Sequence, residues 1–197
     1  MFPIFLKLDG RRVLVVGAGT IAEGKIRGLL EAHASVSVVA PEATQQIRYW
    51  AAAGALSWRV AKFEPADLDG AFLVIVATAS GDLNEQIYQE AKLHAVLCNT
   101  VDDPEHCDFY YPAVVKRGDL QIAISTNGRS PALAQRLRQE LEEQFGPEYE
   151  EWVRELGDER EKLTIEKLEP GTRRELLHKA ASKEAFLSRY RPHEGNS

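Results

Sequence analysis

The chain has 197 residues, 44% of them hydrophobic and 27% charged, and its net charge at pH 7 is −6. This composition is typical of a soluble globular protein, and the acidic balance argues against a nucleic-acid-binding protein, whose surface would be basic. No stretch reaches the roughly 20 apolar residues that a membrane-spanning helix needs. The short apolar N-terminus lacks the basic region and the cleavage site of a signal peptide. We therefore expect a cytoplasmic protein with no nucleic-acid or membrane partner.

The cysteines and histidines do not form a metal-binding pattern. Cys98 and Cys107 do not have the spacing of zinc ligands, and His106 beside Cys107 has no third ligand at a suitable distance in the sequence. We therefore predict two free thiols in a reducing compartment and no metal-binding residues.

The first half of the chain alternates strand-like and helix-like segments. The predicted strands are short apolar runs rich in β-branched residues, over 12–17, 35–40, 56–61, 71–78 and 95–101. Helices are predicted between them over 22–33, 41–54 and 82–94. The strand at 71–78 is the most apolar, so we expect it at the centre of the sheet. Strands and helices in this order predict βαβ units, and hence an α/β fold with a parallel sheet of the Rossmann type.

The pattern then changes to a hairpin followed by a helix. Residues 109–126 are typical of two strands joined by a tight turn at 116–119. Ser130 and Pro131 are the residue types expected at the N-cap and the first position of a helix, which ends at Gly146-Pro147.

The C-terminal part is predicted to be helical and charged. One helix starts at Glu148 and is interrupted at Pro170-Gly171, and residues 191–197 are expected to form a frayed tail. The last helix is expected to have an apolar stripe of Leu176, Leu177, Ala180, Phe186 and Leu187. We therefore predict three parts: a Rossmann domain over 1–112, a small α+β region over 113–147 and a helical region over 148–197.

A glycine-rich turn follows the first predicted strand. Its pattern is Gly17-x-Gly19-x-x-Ala22, in which Gly17 permits a tight turn, Gly19 lets the backbone approach a pyrophosphate, and Ala22 allows close helix–strand packing. The same pattern also occurs in turns that serve packing alone. Its position between a strand and a helix favours dinucleotide binding. The residues expected to contact the dinucleotide are Gly17, Gly19, Thr20, Ile21, Ala22, Ala40, Pro41 and Thr78.

The usual partner of the adenosine ribose is missing from its expected position. A dinucleotide-binding turn is normally followed, about 20 residues later, by an acidic residue that binds the ribose hydroxyls. Here the second strand ends at Val39-Ala40-Pro41, and the first carboxylate is that of Glu42. No arginine is present there to bind a 2′-phosphate, so the sequence favours NAD over NADP and leaves the ribose contact unassigned.

Four segments carry a family resemblance: PIFLKLDGRRVLVVGAGTIAEGKIRGLL, VATASGDLN, CNTVDDPEHCDFYYPAVVKRGDLQIAIST and NGRSPALAQRLRQELE. In this order they resemble the precorrin-2 dehydrogenase family, which includes the siroheme synthase dehydrogenase module and bifunctional dehydrogenase/ferrochelatases. The similarity extends from about Pro3 to Phe145. Beyond it, the chain is similar to the family only in having a small helical region.

The resemblance implies NAD-dependent oxidation of precorrin-2 to sirohydrochlorin on the route to siroheme. It also implies a homodimer, in which the region 113–147 exchanges contacts with the partner. The family's key aspartate lies in an Asn-x-Val-Asp motif, which in this chain ends at Asp102. Some members then insert a metal ion into the product, so Fe²⁺ or Co²⁺ is a candidate second substrate.

The chemistry of the expected reaction gives Asp102 a role. Desaturation of a tetrapyrrole removes a hydride and a proton, and a carboxylate beside the nicotinamide can accept the proton or position the substrate. Asp102 follows a strand, at the sheet edge where open α/β folds bind ligands. The residues alone also fit a plain turn at Asp102-Asp103-Pro104, in which the carboxylates bind backbone amides.

An acidic protein needs local positive charge and amide donors to hold a carboxylate-rich substrate. Lys116, Arg117, Arg129 and Arg136 are candidates, and the segment around Asn127 is rich in donors. The alternatives are solvated arginines and an ordinary helix cap. The predicted substrate-binding residues are Asn99, Lys116, Arg117, Ser125, Thr126, Asn127, Gly128, Arg129 and Ser130.

Two other functions fit parts of this pattern. A non-enzymatic module that senses NAD(H) would explain Gly17–Ala22 but would leave Asp102 without a task. An oxidoreductase for another carboxylated substrate would use the same kinds of residues.

Overall fold

The computed structural model describes residues 1–166 and 168–190, so the predicted tail at 191–197 lies outside the described residues. The chain divides into two compact units, of which the first is Met1–Tyr111 and the second begins at Pro112. No helix in the described part of the chain is long and apolar enough to cross a membrane. The separate predicted boundary near residue 148 stays a prediction.

The first unit alternates strands and helices as the sequence predicts. Its strands are β1 (Arg12–Val16), β2 (Ser35–Val39), β3 (Ser57–Arg59), β4 (Leu73–Val76) and β5 (Leu97–Thr100). Its α-helices are α1 (Thr20–Glu31), α2 (Gln45–Ala52) and α3 (Gly81–Leu93). Two single-turn 3₁₀ helices, which the sequence analysis did not predict, are formed by Pro65–Leu68 and Pro104–His106.

All five strands pair in parallel, in the order β3-β2-β1-β4-β5. This topology confirms the predicted Rossmann-type sheet. The prediction that the most apolar strand is central was wrong, because β1 is the middle strand and β4 lies next to the edge. β4 is nevertheless fully buried, since helices cover both faces of the sheet.

The strand side chains alternate between two hydrophobic cores, one on each face of the sheet. Val13, Val15 and Ile75 pack with Ile26 of α1 and Ile47 of α2. On the opposite face, the buried residues of β1, β4 and α3 include Leu14, Val74, Val76 and Ile87. Because helices cover both faces, a ligand can reach the sheet at the ends of its strands.

The start of α2 differs from the sequence prediction. The helix begins at Gln45 instead of Pro41, because the Thr44 side chain accepts a hydrogen bond from the Ile47 amide at 3.3 Å and caps the first turn. The Thr44 hydroxyl also donates to the Glu23 carboxylate at 3.0 Å, which ties the cap to α1. Pro41 is thereby left in the connection that follows β2.

The second unit begins with the predicted hairpin and capped helix. β6 (Ala113–Arg117) and β7 (Leu120–Ile124) pair antiparallel. α4 (Pro131–Gln144) starts with Pro131 and is capped by Ser130, whose side chain accepts from the Leu133 amide at 3.3 Å. These elements confirm the sequence prediction for this segment.

The C-terminal helices are α5 (Glu148–Ile165), α6 (Pro170–Ala180) and α7 (Lys183–Tyr190). The prediction that the apolar stripe belongs to a single last helix was wrong, because α6 and α7 are separate helices. The Ser182 side chain accepts from the Ala185 amide at 3.1 Å and starts a new helix. This break turns Phe186 inward, where its ring centroid lies 4.5 Å from that of Tyr149 and 4.8 Å from that of Trp152.

Gly17 has a conformation and an environment that exclude a side chain. Its φ of +99° is in the left-handed half of conformational space, and a Cβ atom there would overlap the Ala77 carbonyl. We expect Gly17→Ala to lower the free energy of unfolding by about 2 kcal/mol or more, because strain and overlap add. Urea denaturation of the purified protein measures this change.

Gly24→Ala is the matched control, since Gly24 lies inside α1 and a Cβ there has no neighbour within 4 Å. This variant is expected to gain up to about 1 kcal/mol from helix propensity. Equal unfolding midpoints for Gly17→Ala and the unsubstituted protein would contradict the steric argument.

Candidate functional site

The glycine turn joins the centre of the sheet to the start of α1. The Gly17 amide donates to the Val39 carbonyl at 3.0 Å, and the Ala77 amide donates to the Val16 carbonyl at 2.8 Å. The turn therefore lies at the carboxyl ends of β1, β2 and β4. The strand order changes direction here, because β2 and β3 lie on one side of β1 and β4 and β5 lie on the other. In an open parallel sheet, ligands bind in the crevice at this point.

The first turn of α1 has the features of an anion-binding site. Its N-cap residue is Gly19, and no side chain among the described residues caps the turn. A Cβ on Gly19 would have no neighbour within 4 Å, so the space above this glycine is open. Ala22 is fully buried against the sheet. Uncapped backbone amides beside an open space fit the pyrophosphate of a dinucleotide.

The other predicted cofactor residues follow the neighbouring strands. Ala40 and Pro41 come directly after β2, and the Ala40 carbonyl accepts from the Trp58 indole at 3.0 Å. Thr78 lies just beyond β4, and its hydroxyl donates to the Asn84 side-chain oxygen at 2.6 Å. The sheet thus brings these residues to the same edge as the glycine turn. Their contacts with a dinucleotide stay predictions.

Asp102 follows β5 in an uncommon backbone conformation. Its φ is +59°, which Asp tolerates better than most side chains, and the residue is exposed. Within the described residues its carboxylate accepts no backbone hydrogen bond, so it does not act as the turn-stabilising acceptor that the sequence left open. The Asp103 carboxylate instead binds His106 Nδ1 at 2.6 Å. The Asp102 carboxylate is therefore available to a ligand.

The Cys107 thiol holds the turn that carries Asp102, a role that the sequence analysis missed. Its single S–H is shared between the carbonyls of Thr100 and Asp103, which lie 3.1 and 3.2 Å from Sγ, and Sγ accepts from the Thr100 amide at 3.3 Å. Burial raises the pKa of Cys107, which keeps the thiol protonated and able to donate. Cys98 is buried in the sheet, and burial raises its pKa to about 12.

Asn99 is a buried residue of β5 with a structural function. Its side-chain amide donates to the Phe109 carbonyl at 2.7 Å and to Cys107 Sγ at 3.4 Å. These bonds occupy both amide hydrogens, so the side-chain oxygen is the atom left for a ligand. The predicted substrate contact of Asn99 stays a prediction.

Lys25 is a second residue near Asp102 that the sequence analysis did not select. It lies on the second turn of α1, and its Nζ is 3.6 Å from the centroid of the Tyr111 ring. Burial lowers the pKa of Lys25, and the negative charge of Asp102 opposes this effect. Burial also raises the pKa of Tyr111 to about 12. No motif or periodicity in the sequence singles out this lysine.

The basic residues of the second unit have different environments. The Arg117 guanidinium donates to the carbonyls of Phe145 at 2.8 Å and Glu142 at 3.1 Å, and so closes the C-terminal end of α4. Arg136 is paired with Glu140 at 3.2 Å, with both side chains exposed. Arg117 therefore has a structural function beside its predicted role in substrate binding, which no contact in the structure tests. Lys116 is an exposed residue of β6.

The segment 125–130 is a compact loop whose hydroxyl groups bind its own backbone. The Ser125 hydroxyl accepts from the Asn127 amide at 3.2 Å, and the Thr126 hydroxyl accepts from the Ser130 amide at 3.1 Å. Asn127 and Gly128 have positive φ angles of 55° and 75°. The helix cap that the sequence considered is present here, and substrate binding by the loop stays a prediction.

A cavity of about 670 Å³ lies between α5 and α6, in the second unit. Its lining includes Arg160, Arg173 and Arg174 together with apolar side chains. The cavity contains none of the predicted site residues. The uncapped glycine turn and the Asp102 turn identify the candidate site better than the cavity volume does, because they bring specific chemical groups to one sheet edge.

Two family models match successive parts of the chain. Residues 4–113 match a family described as putative NAD(P)-binding, and residues 117–144 match the central region of sirohaem biosynthesis proteins. The first match covers more than half of the chain, so the chain has an NAD(P)-binding domain.

The curated relatives of this chain include siroheme synthases of several bacteria. That of Photorhabdus laumondii subsp. laumondii is 44% identical over 140 residues, which are 71% of this chain and 30% of that protein. Siroheme synthase 1 of Aeromonas salmonicida is 42% identical over 140 residues, with the same shares. The chain therefore spans less than a third of the length of these relatives.

A solved structure matches over nearly the whole chain. It is titled SirC, precorrin-2 dehydrogenase, and it superimposes with a TM-score of 0.81 at 31% identity, covering 95% of this chain and 92% of that one. The shared fold, the order of the two family segments and this similarity over most of both chains agree with one another. The chain belongs to the precorrin-2 dehydrogenase family.

Proposed function

We propose that this chain is an NAD-dependent dehydrogenase that oxidises precorrin-2 to sirohydrochlorin in siroheme biosynthesis. The observation that carries the proposal is that an uncapped glycine turn and the free Asp102 carboxylate lie at the same edge of one parallel sheet. The first group fits a dinucleotide, and the second fits the proton that leaves when a tetrapyrrole is desaturated. The similarity to a precorrin-2 dehydrogenase over 95% of this chain supports this choice of substrate.

The cofactor is held by the backbone in this proposal. The amides of Thr20, Ile21 and Ala22 bind the pyrophosphate, and Gly19 permits its close approach. Ala40, Pro41 and Thr78 complete the contacts along the sheet edge. NAD, when bound, accepts the hydride. The family match covers both NAD and NADP, and the lack of an arginine among residues 40–44, directly after β2, supports NAD.

Asp102 accepts the proton that accompanies hydride loss. The substrate loses one hydrogen together with two electrons as a hydride. A second hydrogen leaves as a proton, which Asp102 takes up and returns to solvent. The Cys107 thiol and the Asn99 amide hold the turn from which the carboxylate projects. Their function is to keep this carboxylate fixed while the substrate reacts.

Positive charge and backbone donors hold the carboxylates of the substrate. Lys116, Arg117 and Arg129 supply the charge in the second unit, and the loop 125–130 supplies further donors. We further propose a homodimer that uses the region 113–147, and a cytoplasmic location. Fe²⁺ or Co²⁺ is proposed as a second substrate, for which Asp102 would accept the pyrrole protons.

An anaerobic assay tests the proposed function directly. The purified protein is mixed with precorrin-2 and NAD⁺, and the absorption spectra of NADH and sirohydrochlorin are followed, with NADP⁺ in a parallel reaction. Stoichiometric appearance of both products is expected. Subsequent addition of Fe²⁺ or Co²⁺ should change the macrocycle spectrum faster than in a protein-free control if metal insertion also occurs. Absence of both NADH and NADPH formation would refute the dehydrogenase proposal.

Gly19→Ala tests how the dinucleotide is held. The new methyl group has free space in the protein, so the stability should stay within about 0.5 kcal/mol of the unsubstituted chain. The same methyl group would occupy the position of the pyrophosphate, so we expect NAD⁺ affinity to fall at least about tenfold. Titration calorimetry measures this affinity, and Gly24→Ala is the control. Unchanged affinity would place the pyrophosphate elsewhere.

Asp102→Asn tests the proton acceptor. The substitution keeps the size of the side chain and removes its basicity, so we expect kcat for precorrin-2 oxidation to fall about 10²- to 10⁴-fold. NAD⁺ affinity should stay unchanged, because the pyrophosphate contacts lie on α1. Asp103→Asn is the neighbouring control, since the Asp103 carboxylate is bound to His106. Full activity of Asp102→Asn would exclude Asp102 as the base.

A further inference from the structure

The ammonium group of Lys25 is an unsatisfied cation beside the candidate catalytic carboxylate. The residue is half-buried, and its Nζ lies over the Tyr111 ring at 3.6 Å. Within residues 1–166 and 168–190 the ammonium has no hydrogen-bond acceptor and no ion pair. The ring face attracts the charge but uses none of its N–H groups as conventional hydrogen bonds. The N–H groups that point away from the ring are therefore available to a ligand.

The surroundings of Lys25 connect it with Asp102. The negative charge of Asp102 acts on the ammonium, although the two groups do not form an ion pair. Tyr111 is itself held in place through Phe109, whose carbonyl accepts the Asn99 amide at 2.7 Å and whose ring centroid lies 6.1 Å from that of Tyr111. The segment after β5 thus carries the Asp102 carboxylate, and its Tyr111 ring orients the Lys25 ammonium of α1.

We propose that Lys25 binds a carboxylate of the tetrapyrrole substrate and so fixes the macrocycle beside Asp102. This assignment rests on the proposed function for the identity of the substrate. A partly desolvated ammonium without an acceptor gains most from an anionic ligand, which restores its hydrogen bonds and balances its charge. Precorrin-2 supplies carboxylates around its rim, and Asp102 supplies the base for its ring system.

The dinucleotide pyrophosphate is the other anion that Lys25 could meet, and the geometry favours the substrate. The proposed pyrophosphate contacts are the amides at the start of α1, whereas Lys25 lies three to five residues later, about 5–8 Å along the helix axis. Its side chain is directed at Tyr111, which follows β5 and is remote in sequence from the glycine turn. The two anions are therefore expected to occupy different places.

Lys25→Met is the principal test, because methionine keeps most of the length and the apolar stem and removes the charge. Lys25→Arg keeps the charge, and Lys92→Met is the matched control, since Lys92 also lies over a tyrosine ring, that of Tyr88, at 4.3 Å. Two ligands are titrated separately: NAD⁺ by calorimetry, and uroporphyrin, a stable carboxylate-rich tetrapyrrole, by fluorescence anisotropy. The KM and kcat for precorrin-2 are measured anaerobically.

We expect Lys25→Met to weaken uroporphyrin binding and raise the KM for precorrin-2 by about tenfold, which is the usual size of one charge-assisted contact. Lys25→Arg should restore most of the affinity, and Lys92→Met should have no effect. The affinity for NAD⁺ should be the same in all four proteins. Circular dichroism confirms that each variant is folded.

Three results would overturn the assignment. Weaker NAD⁺ binding with unchanged uroporphyrin binding would assign Lys25 to the pyrophosphate. Unchanged affinity for both ligands, or no binding of uroporphyrin by the unsubstituted protein, would remove the anion-binding role. If the unsubstituted protein forms no NADH from precorrin-2 but its uroporphyrin affinity depends on Lys25, the proposed reaction fails while the tetrapyrrole contact stands.

Discussion

The close approach of Gly17 to the Ala77 carbonyl is the constraint on which the first unit depends. β1 and β4 pair in parallel up to their last residues, Val16 and Val76, so the chain that leaves β1 must turn against the backbone that leaves β4. A residue without a side chain and with a positive φ satisfies both conditions. The turn then directs α1 back across the sheet, with its uncapped amides at the carboxyl edge. The anion-binding geometry follows from the packing of the sheet.

The second part of the candidate site depends on a network of polar groups around β5. Asn99 and Cys107 hold the backbone on both sides of the Asp102 turn, and neither bond involves the Asp102 carboxylate. A neutral thiol is suited to this position, because it donates and accepts weak hydrogen bonds without placing another charge next to a carboxylate. The structure thus separates the groups that build the turn from the group that is offered to a ligand.

The two charged groups at this sheet edge, Asp102 and Lys25, are also left available to a ligand. Asp102 carries a negative charge and Lys25 a positive charge, and the two are close enough to interact but do not form an ion pair. An ion pair would satisfy both groups within the protein and would leave neither for a substrate. The Tyr111 ring holds the ammonium by its π-face, which keeps the cation in place and leaves the N–H groups on its other side free. Both groups can therefore act on one ligand.

The sequence by itself determined the order of the elements in the first unit, the glycine turn, the hairpin and the Ser130 cap, because these features are local. Apolar runs, a Gly-x-Gly-x-x-Ala pattern and cap residues act over a few positions, and a parallel sheet follows from their alternation. The family resemblance added Asp102, which composition and spacing alone left as an ordinary turn residue.

Only the tertiary structure decided which side chains meet across the fold. It placed β1 in the centre of the sheet and divided the last predicted helix at Ser182. It also placed the Arg117 guanidinium at the C-terminal end of α4 and Lys25 of α1 near Tyr111 and Asp102. Residues 25 and 111 are 86 positions apart, and no periodicity in the sequence relates them. Such contacts arise when the sheet edge forms, because the parallel strands bring the segments that follow β1 and β5 to the same end of the sheet.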